Sequence, residues 1–334
     1  MRKLKSDWNQ QQDHILYLVV PCYNEEEVLP ETSRRLKEKL LSLIERKKIS
    51  IKSRVMFVND GSKDRTWAII QELHRNDRFF CGVNLSRNRG HQNALLAGLM
   101  TAKEKADVVI SMDADLQDDI NAMDEMIDKY LGGCDIVYGV RSSRKKDSFF
   151  KRFTAESFYR LMNCLGVHMV FNHADYRLMS KRALEGLAQF EEVNLFLRGI
   201  VPMIGYPSDI VYYKRGQRLA GESKYPLKKM LSFAGEGITS LSIKPIRLVF
   251  LLGILVFLIS IGMLIYIIVQ FLLGHTVSGW ASISVSVWAI GGLTLLSIGV
   301  VGEYIGKIYL ETKNRPRFLI ESVLTEEDNQ DEEG

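Results

Sequence analysis

Residues 106–119, ADVVISMDADLQDD, contain the pattern that decides the fold, an apolar and β-branched run that ends at a cluster of carboxylates. A short continuous apolar run predicts a strand that is buried on both faces of a sheet. In open α/β sheets, ligands bind beyond the carboxyl ends of the strands, which is where this acidic cluster begins. We therefore predict an α/β protein whose functional site lies at that edge.

The same pattern of an apolar run followed by a polar cluster recurs through the first 140 residues. Four such clusters at successive strand ends favour a binding site over a set of unrelated solvated turns. The other predicted strands are residues 14–20, 54–58, 81–85 and 135–140, and the clusters are PCYNEEE (21–27), NDGSKD (59–64), SRNRGHQ (86–92) and DADLQDD (113–119).

The segments between these strands have the spacing of amphipathic helices. Asp64 is the predicted N-cap of one helix, and another is expected from about Asp118 to Leu131. Strands that alternate with helices pair in parallel through right-handed crossovers. The predicted fold is therefore a doubly wound, mostly parallel α/β sheet.

Asp113 and Asp115 are separated by one residue just past a predicted strand, so an extended chain would point both side chains the same way. Two neighbouring carboxylates repel each other unless a cation lies between them. Hard oxygen ligands suit Mg²⁺ or Mn²⁺, and Mg²⁺ is usually completed by substrate phosphates. The alternative role for such residues is helix N-capping, for which Asp118 and Asp119 are better placed. The pattern favours a metal site that binds a diphosphate.

A nucleotide would have to be held without the common glycine-rich motifs, because the sequence has neither GxGxxG after the first strand nor a P-loop. Asp60 is a candidate to accept a hydrogen bond from a base, Tyr23 to stack on the base and Glu25 to bind a ribose hydroxyl. Each assignment is weak alone, because acidic residues are common in turns.

Several motifs, taken in order, resemble glycosyltransferase family 2 with the GT-A fold. The resemblance is to the polyprenyl-phosphate branch, which includes bactoprenol glucosyltransferases and dolichol-phosphate mannose synthases, and it covers roughly residues 15–316. The motifs that carry it are VVPCYNEEEVL (19–29), VNDGSKD (58–64), DADLQDD (113–119), YGVRSSR (138–144), FFKRFTAESFYRLMN (149–163), NHADYRLMS (172–180), LFLRGIVPMIGY (195–206) and GQRLAGESKY (216–225).

The resemblance implies a role for each residue that matches a family motif. Asp113 and Asp115 would hold Mg²⁺ or Mn²⁺ with Gln117 close by, and Asp175 matches an acidic position regarded as a possible base, so Asp175 and Asp115 are the catalytic candidates. The dipeptide His173-Ala174 replaces the pair of small residues that usually precedes this acidic position, so the resemblance does not specify which sugar is transferred. The donor nucleotide would be bound by Pro21, Tyr23, Glu25, Asp60 and Asp113, and the acceptor and diphosphate by Arg141, Arg144, Arg198, Arg215, Arg218, Ser223 and Lys224.

The expected acceptor is a lipid phosphate. A phosphate monoester has its second pKa near ~6, so it is already a nucleophile at neutral pH and needs no strong base. We therefore expect Asp175 to orient the sugar or the acceptor, and an in-line attack at the anomeric carbon would invert its configuration. The reaction instead needs stabilisation of the departing nucleoside diphosphate.

Basic and aromatic residues are interleaved over residues 141–162, a pattern typical of a helix at a membrane surface. A packed helix with a solvated basic face is the alternative. Nucleic-acid binding is disfavoured, because the net charge is only +4.

The chain has 334 residues, of which 46% are hydrophobic and 25% charged, but the charge is unevenly distributed. Residues 248–274 and 276–302 contain no Asp, Glu, Lys or Arg, and each run exceeds the ~20 residues needed to span a bilayer. Basic residues flank the two runs on their outer sides, which predicts a multi-pass cell-membrane protein with both termini in the cytoplasm. The four scattered cysteines fit a reducing compartment.

The predicted organisation has five segments. They are an N-terminal extension (1–13), a cytoplasmic GT-A catalytic domain (14–222), a juxtamembrane amphipathic segment (223–246), a hairpin of two transmembrane helices within 247–306 (about 247–273 and 279–304) and a cytoplasmic acidic tail (307–334). Small residues in the second span favour close helix contact, and with the resemblance they predict a homo-oligomer such as a tetramer.

The sequence as a whole predicts an inverting, metal-dependent glycosyltransferase at the cytoplasmic leaflet. Its donor would be a nucleotide sugar, UDP-glucose or UDP-N-acetylglucosamine, and its acceptor polyprenyl (undecaprenyl) phosphate. The product would be a lipid-linked monosaccharide for cell-envelope glycan modification, exported by a separate flippase. One alternative is a processive polysaccharide synthase, which is disfavoured because the sequence has no QxxRW motif. The other is a membrane protein that senses nucleotide sugars without turnover.

Overall fold

The computed structural model describes residues 14–142, 173–216, 244–273 and 279–325. Eight strands form one mixed sheet in the order β7-β5-β6-β4-β1-β2-β3-β8. The strands are β1 (Leu16–Cys22), β2 (Arg54–Asn59), β3 (Phe80–Leu85), β4 (Val108–Ser111), β5 (Ile136–Arg141), β6 (His173–Ser180), β7 (Ser208–Tyr213) and β8 (Ile320–Leu324). The helices are α1 (Leu29–Glu45), α2 (Thr66–Asn76), α3 (His91–Lys103), α4 (Ala122–Leu131), α5 (Lys181–Ala188), α6 (Leu197–Met203), α7 (Lys244–Leu272) and α8 (Trp280–Thr312).

The centre of the sheet is parallel, as the alternating pattern predicted. Strand β1 pairs in parallel with β2 and with β4, and β2 pairs in parallel with β3. Every residue of β1 to β4 is buried, because apolar side chains on each face pack into a separate core. The predicted α/β sheet is thus confirmed, and the carboxyl ends of these four strands meet at one edge.

Strand β6 was not predicted, and it runs antiparallel between β4 and β5. Tyr176 and Leu178 fill one core, while Asp175 and Arg177 lie on the opposite face of the strand. In the register of this pair, Arg177 stands opposite Ser111, the last residue of β4. The antiparallel course therefore carries Asp175 past the end of β4, beside the acidic cluster.

Strand β8 was also not predicted. It follows α8 and closes the opposite edge of the sheet by antiparallel pairing with β3. Val323 and Leu324 pack against the two cores, which explains why this short strand joins the sheet.

Three local expectations were wrong, two about where helices begin and one about the acidic segment after β4. The N-cap of α2 is Arg65, one residue after Asp64, although the Asp64 carboxylate accepts the N–H of Thr66, the first residue of the helix. The helix expected from Asp118 begins only at Ala122, with no side-chain cap, because the Asp118 side chain is buried in other hydrogen bonds.

The acidic segment after β4 is not extended either. Ala114 and Asp115 form a turn, and Leu116 has a φ of 52°. The left-handed backbone at Leu116 is uncommon for a side chain of this kind, so the surrounding fold must impose it.

The described residues of the two uncharged runs lie mostly in α7 and α8, which belong to a second compact unit. Helices α7 and α8 contact each other. Within the described residues, one stretch, Ala289–Thr312, is long and apolar enough to cross a membrane, and a shorter apolar stretch is Pro245–Val256. The two-helix transmembrane hairpin therefore stays a prediction.

Candidate active site

Asp113 lies just past β4 and remains accessible, with its side chain 38% exposed. The protein packed around the carboxyl group, followed by the negative charges of Asp118, Asp175 and Asp115, raises its pKa from 3.8 to about 6, although His91 opposes the shift. An accessible acid with a raised pKa among other acids is a group whose ionised form a cation would stabilise.

Asp115 takes part in the turn that follows. One carboxylate oxygen accepts the N–H of Gln117 at 3.1 Å. The Gln117 side chain accepts a hydrogen bond from the guanidinium of Arg215, and the backbone carbonyl of Gln117 accepts the N–H of Gly216 at 2.7 Å. The chain after β7 is thereby held against the acidic turn, which brings the predicted Arg215 to Gln117.

Asp175 is buried and paired with two guanidinium groups. Arg177 donates to Oδ1 at 2.7 Å, and Arg198 donates to Oδ1 at 3.2 Å and to Oδ2 at 3.0 Å. Burial alone would raise the pKa of Asp175, but the charge of Arg198, a contact with His91 and the charge of Arg177 hold it well below 3.8. Asp175 is therefore a fixed negative charge and a weak proton acceptor.

His91 links the two acidic positions. It is the first residue of α3, and its Nε2 lies 3.6 Å from Asp113 Oδ1 and 3.5 Å from Asp175 Oδ2. Burial lowers the pKa of His91, but hydrogen bonding to Asp175 and the charges of Asp113 and Asp175 outweigh it, so the net shift is upward. The imidazole therefore stands between one accessible and one buried carboxylate.

Arg141, which was expected to bind the acceptor substrate or the diphosphate, is held at the end of β5. Its guanidinium donates to Asp118 Oδ1 and to the hydroxyl of Tyr213, both at 3.2 Å, and Tyr213 donates to the same Asp118 oxygen at 2.5 Å. The Asp118 side chain is 1% exposed, while that of Arg141 is 27% exposed. The buried carboxylate therefore fixes a guanidinium whose surface is partly open to solvent.

Asp60, the expected base-binding residue, is 3% exposed. Its two oxygens accept the N–H groups of Arg89 at 2.7 Å and Gly90 at 2.9 Å. Burial raises the pKa of Asp60 despite these bonds. The carboxylate thus fixes the turn before α3, a role that its sequence position did not indicate.

The other donor candidates cluster beside Asp60. Pro21 is buried in β1, and Tyr23, just beyond it, is 43% exposed. Glu25 donates its N–H to Thr66 Oγ1 at 2.9 Å, and its backbone carbonyl accepts the N–H groups of Val28 and Leu29, where α1 begins. The exposed ring of Tyr23 is therefore available to a planar ligand at this edge.

Four predicted residues, Arg144, Arg218, Ser223 and Lys224, lie outside the described residues. The structure adds His91 and Arg177 to the cluster. His91 belongs to the polar segment after the third strand, so its position at the edge was foreseeable but its partners were not. The period-two alternation of a strand would have placed Arg177 beside Asp175, had β6 been predicted.

The described residues contain no group of three or more His, Cys, Asp or Glu placed to hold a metal ion. Cys22, Cys81 and Cys134 are free thiols, as the scattered spacing predicted, and Cys164 lies outside the described residues.

Comparisons with known proteins agree with this architecture. Residues 17–187 match the model of the family "Glycosyl transferase family 2". A Bacillus subtilis protein named uncharacterized glycosyltransferase YkoT is 56% identical over 95% of this chain and 94% of its own length. The bactoprenol glucosyl transferase of Shigella phage SfX is 41% identical over 91% of this chain and 98% of its own length.

Among solved structures, the chain resembles glucosyl-3-phosphoglycerate synthase from Mycobacterium tuberculosis. That structure, in complex with Mn²⁺, UDP and phosphoglyceric acid, has a TM-score of 0.42 and 16% identity over 68% of this chain and 77% of the other. The family match and the close relatives, which extend over nearly the whole chain, establish that this protein belongs to glycosyltransferase family 2.

Proposed function

We propose that this glycosyltransferase moves a sugar from a nucleotide sugar, UDP-glucose or UDP-N-acetylglucosamine, to polyprenyl (undecaprenyl) phosphate with inversion at the anomeric carbon. Relatives named bactoprenol glucosyl transferase, which match over nine-tenths of the chain, support a polyprenyl phosphate as the acceptor. The product would be a lipid-linked monosaccharide for modification of a cell-envelope glycan.

The observation that carries the proposal is the double pairing of Asp175 with Arg177 and Arg198. A carboxylate held ionised by two guanidinium groups, with a pKa far below neutrality, is poorly suited to remove a proton from a sugar hydroxyl. An acceptor phosphate is already largely ionised, so it needs positioning and charge stabilisation instead. The site therefore suits a phosphate nucleophile better than an alcohol.

The residues after β4 fit a divalent cation. Asp113 is an accessible acid whose pKa is raised to about 6. Oxygen ligands of this kind suit Mg²⁺ or Mn²⁺, and Mg²⁺ commonly binds one or two protein carboxylates and completes its shell with water and phosphate. Asp113 and Asp115 would hold the ion, which when bound neutralises charge on the nucleoside diphosphate.

The chain's own cations surround the acidic turn. Arg198 is 36% exposed beside Asp175, and Arg215 lies against Gln117. Arg141 is fixed by Asp118 at the end of the neighbouring strand β5. Guanidinium groups that are already oriented stabilise phosphate oxygens without the cost of ordering them during the reaction. These three residues would bind the acceptor phosphate or the leaving diphosphate.

The same proposal places the enzyme in the cell membrane, with α7 and α8 as a hairpin and with both termini and the catalytic sheet in the cytoplasm. Large apolar side chains on α8 are exposed, with Leu295 at 72%, which suits contact with lipid. Lys313, Arg315 and Arg317 follow α8, as the positive-inside rule requires for a cytoplasmic end. A homo-oligomer and a separate flippase complete the proposal.

Transfer of radiolabel tests the proposal directly. Purified protein is incubated with labelled UDP-glucose or UDP-N-acetylglucosamine, Mg²⁺ or Mn²⁺, and undecaprenyl phosphate. We expect label in the organic extract, and the label should disappear when the lipid phosphate is omitted. Label in long water-soluble polymer would instead identify a processive synthase, and bound but unconverted nucleotide would identify a sensor.

A further inference from the structure

A chain of side-chain hydrogen bonds crosses the sheet from its last strand toward the loop after β2. Asn84 Nδ2 donates to Glu321 Oε2 at 2.8 Å, and Asn59 Nδ2 donates to Asn84 Oδ1 at 2.7 Å. The N–H of Ser62 then donates to Asn59 Oδ1 at 3.2 Å. Glu321, which follows the long apolar helices in sequence, is thereby connected to the polar cluster after the second strand.

The connection continues into the loop after β1. Asn24 donates its N–H to Ser62 Oγ at 3.0 Å, and its side chain accepts the N–H of Lys63 at 2.9 Å. Asn24 has a φ of 54°, a left-handed conformation that Asn tolerates better than most residues. The exposed Tyr23, a candidate to stack on the donor base, immediately precedes it. The chain of bonds therefore ends beside the proposed nucleoside site.

The groups at the two ends of this series of hydrogen bonds fix which atoms donate and which accept along it. The N–H of Ser62 can only donate, so Asn59 must present its oxygen there and its amide nitrogen to Asn84. Asn84 must then present its nitrogen to Glu321, whose Oε2 accepts the bond. Asn59 and Asn84 are 3% and 9% exposed, so a reversed amide would leave buried groups unsatisfied.

The backbone directs Glu321 to this position. Ser322 pairs with Asn84 and Ile320 with Leu85, so Glu321 is the extra residue of a β-bulge in β8. Bulges of this kind redirect a side chain at the edge of a sheet. The Ser86 N–H also donates to the carbonyl of Leu319 at 3.0 Å, which ties the start of β8 to the loop before α3.

We propose that Glu321 is a positioning residue for the donor nucleotide, and that β8 belongs to the donor site. Its carboxylate sets the orientation of the Asn84 and Asn59 amides, and these amides hold the loops that carry Tyr23 and Asp60. This inference rests on the proposed function, because it assumes that those loops bind a nucleoside. The proposal gives β8, which follows the apolar helices in sequence, a role in the affinity for the nucleotide sugar.

Binding of uridine diphosphate to the full-length protein tests the proposal, with Mg²⁺ present and isothermal titration calorimetry as the readout. Glu321→Ala should weaken the affinity about fivefold, the effect of one lost hydrogen bond, and raise KM for the nucleotide sugar equally. KM for the lipid phosphate and kcat should stay unchanged. Glu321→Gln, which keeps an acceptor oxygen, should bind like the wild type. Glu72→Ala, an exposed change on α2, is the matched control.

A reciprocal exchange sharpens the test. Asn84→Asp keeps the acceptor for Asn59 but sets two carboxylates against each other, so we expect about tenfold weaker binding. Adding Glu321→Gln supplies a donor to Asp at position 84, and binding should return to within about twofold of the wild type.

Two results would overturn the inference while leaving the proposed function intact. One is an unchanged affinity of Glu321→Ala in a preparation whose wild type binds uridine diphosphate and transfers sugar. The other is a lower melting temperature together with equal rises in the donor KM and the acceptor KM, which would reveal a purely structural role. A wild type that neither binds nor transfers would instead refute the proposed function and this inference with it.

Discussion

The two halves of the sheet edge that carries the candidate active site hold their polar groups in different ways. Beyond β4 and β6, ionised side chains contact each other directly, with Asp175 between Arg177 and Arg198. At the ends of β2 and β3, side chains bond to neutral groups instead. The amides of Asn59 and Asn84 bond to each other, and the Asp60 carboxylate accepts backbone N–H groups. In the proposed function, the first half would stabilise a change of charge, and the second would recognise a neutral nucleoside by shape and hydrogen bonding.

This difference predicts that removing a charge beyond β4 has the largest effect on turnover. Asp113→Asn should lower kcat by about a thousandfold, because it deletes a proposed ligand of the ion that stabilises the leaving group. The side chain is 38% exposed, so the protein should stay folded, with unchanged circular dichroism and melting temperature no lower than that of the wild type. Full activity of the variant with the cation chelated would refute the metal role.

The buried ion pair of Asp175 and Arg177 should matter most for the stability of the fold. Asp175→Asn removes the negative charge that pairs with Arg177, whose side chain is 1% exposed, and should lower the free energy of unfolding by about 3 kcal/mol. Thermal melting in detergent measures the loss. Because the cost comes from an unpaired buried cation, adding Arg177→Met should recover part of it. A single variant that melts like the wild type would contradict this account.

Changes at the ends of β2 and β3 should mainly weaken the affinity for the donor nucleotide. Asp60→Asn offers one acceptor oxygen where Arg89 and Gly90 present two N–H donors, so one backbone group loses its partner. We expect about tenfold weaker binding of uridine diphosphate, with kcat at saturating donor reduced far less than in Asp113→Asn. Equal losses in kcat for the two variants would abolish the distinction between the halves.

The smallest effect is a pH dependence of stability at Asp113. Its pKa is about 6 in the folded protein against an ordinary 3.8, with burial as the main cause. The ionised carboxylate therefore destabilises the folded state above pH 6, and the penalty disappears below about pH 4. With cations chelated, Asp113→Asn should be more stable than the wild type at pH 7 by about 1 kcal/mol, a value reduced for solvent exposure, and equal to it at pH 4. Identical differences in melting temperature at the two pH values would be the contrary result.

Local patterns in the sequence were sufficient for the central strands and for the acidic cluster. The apolar runs that became β1 to β5 are continuous because both faces of the sheet are covered, and this environment leaves a direct mark on composition. Strand β6 left no such mark, because Asp175 and Arg177 are charged although they are buried. Their mutual ion pair, which makes burial tolerable, depends on a contact that apolar periodicity does not register.

The sequence by itself determined that an α/β sheet carries an acidic site at one edge, since buried strands and the turns that follow them are written in short, contiguous segments. Only the tertiary structure decided which groups meet there. His91 reaches Asp113 and Asp175 from the start of another element, and Glu321 reaches Asn84 across 237 positions of chain. Contacts between distant segments depend on strand order and register, which are set by the packing of the whole sheet rather than by any local run of residues.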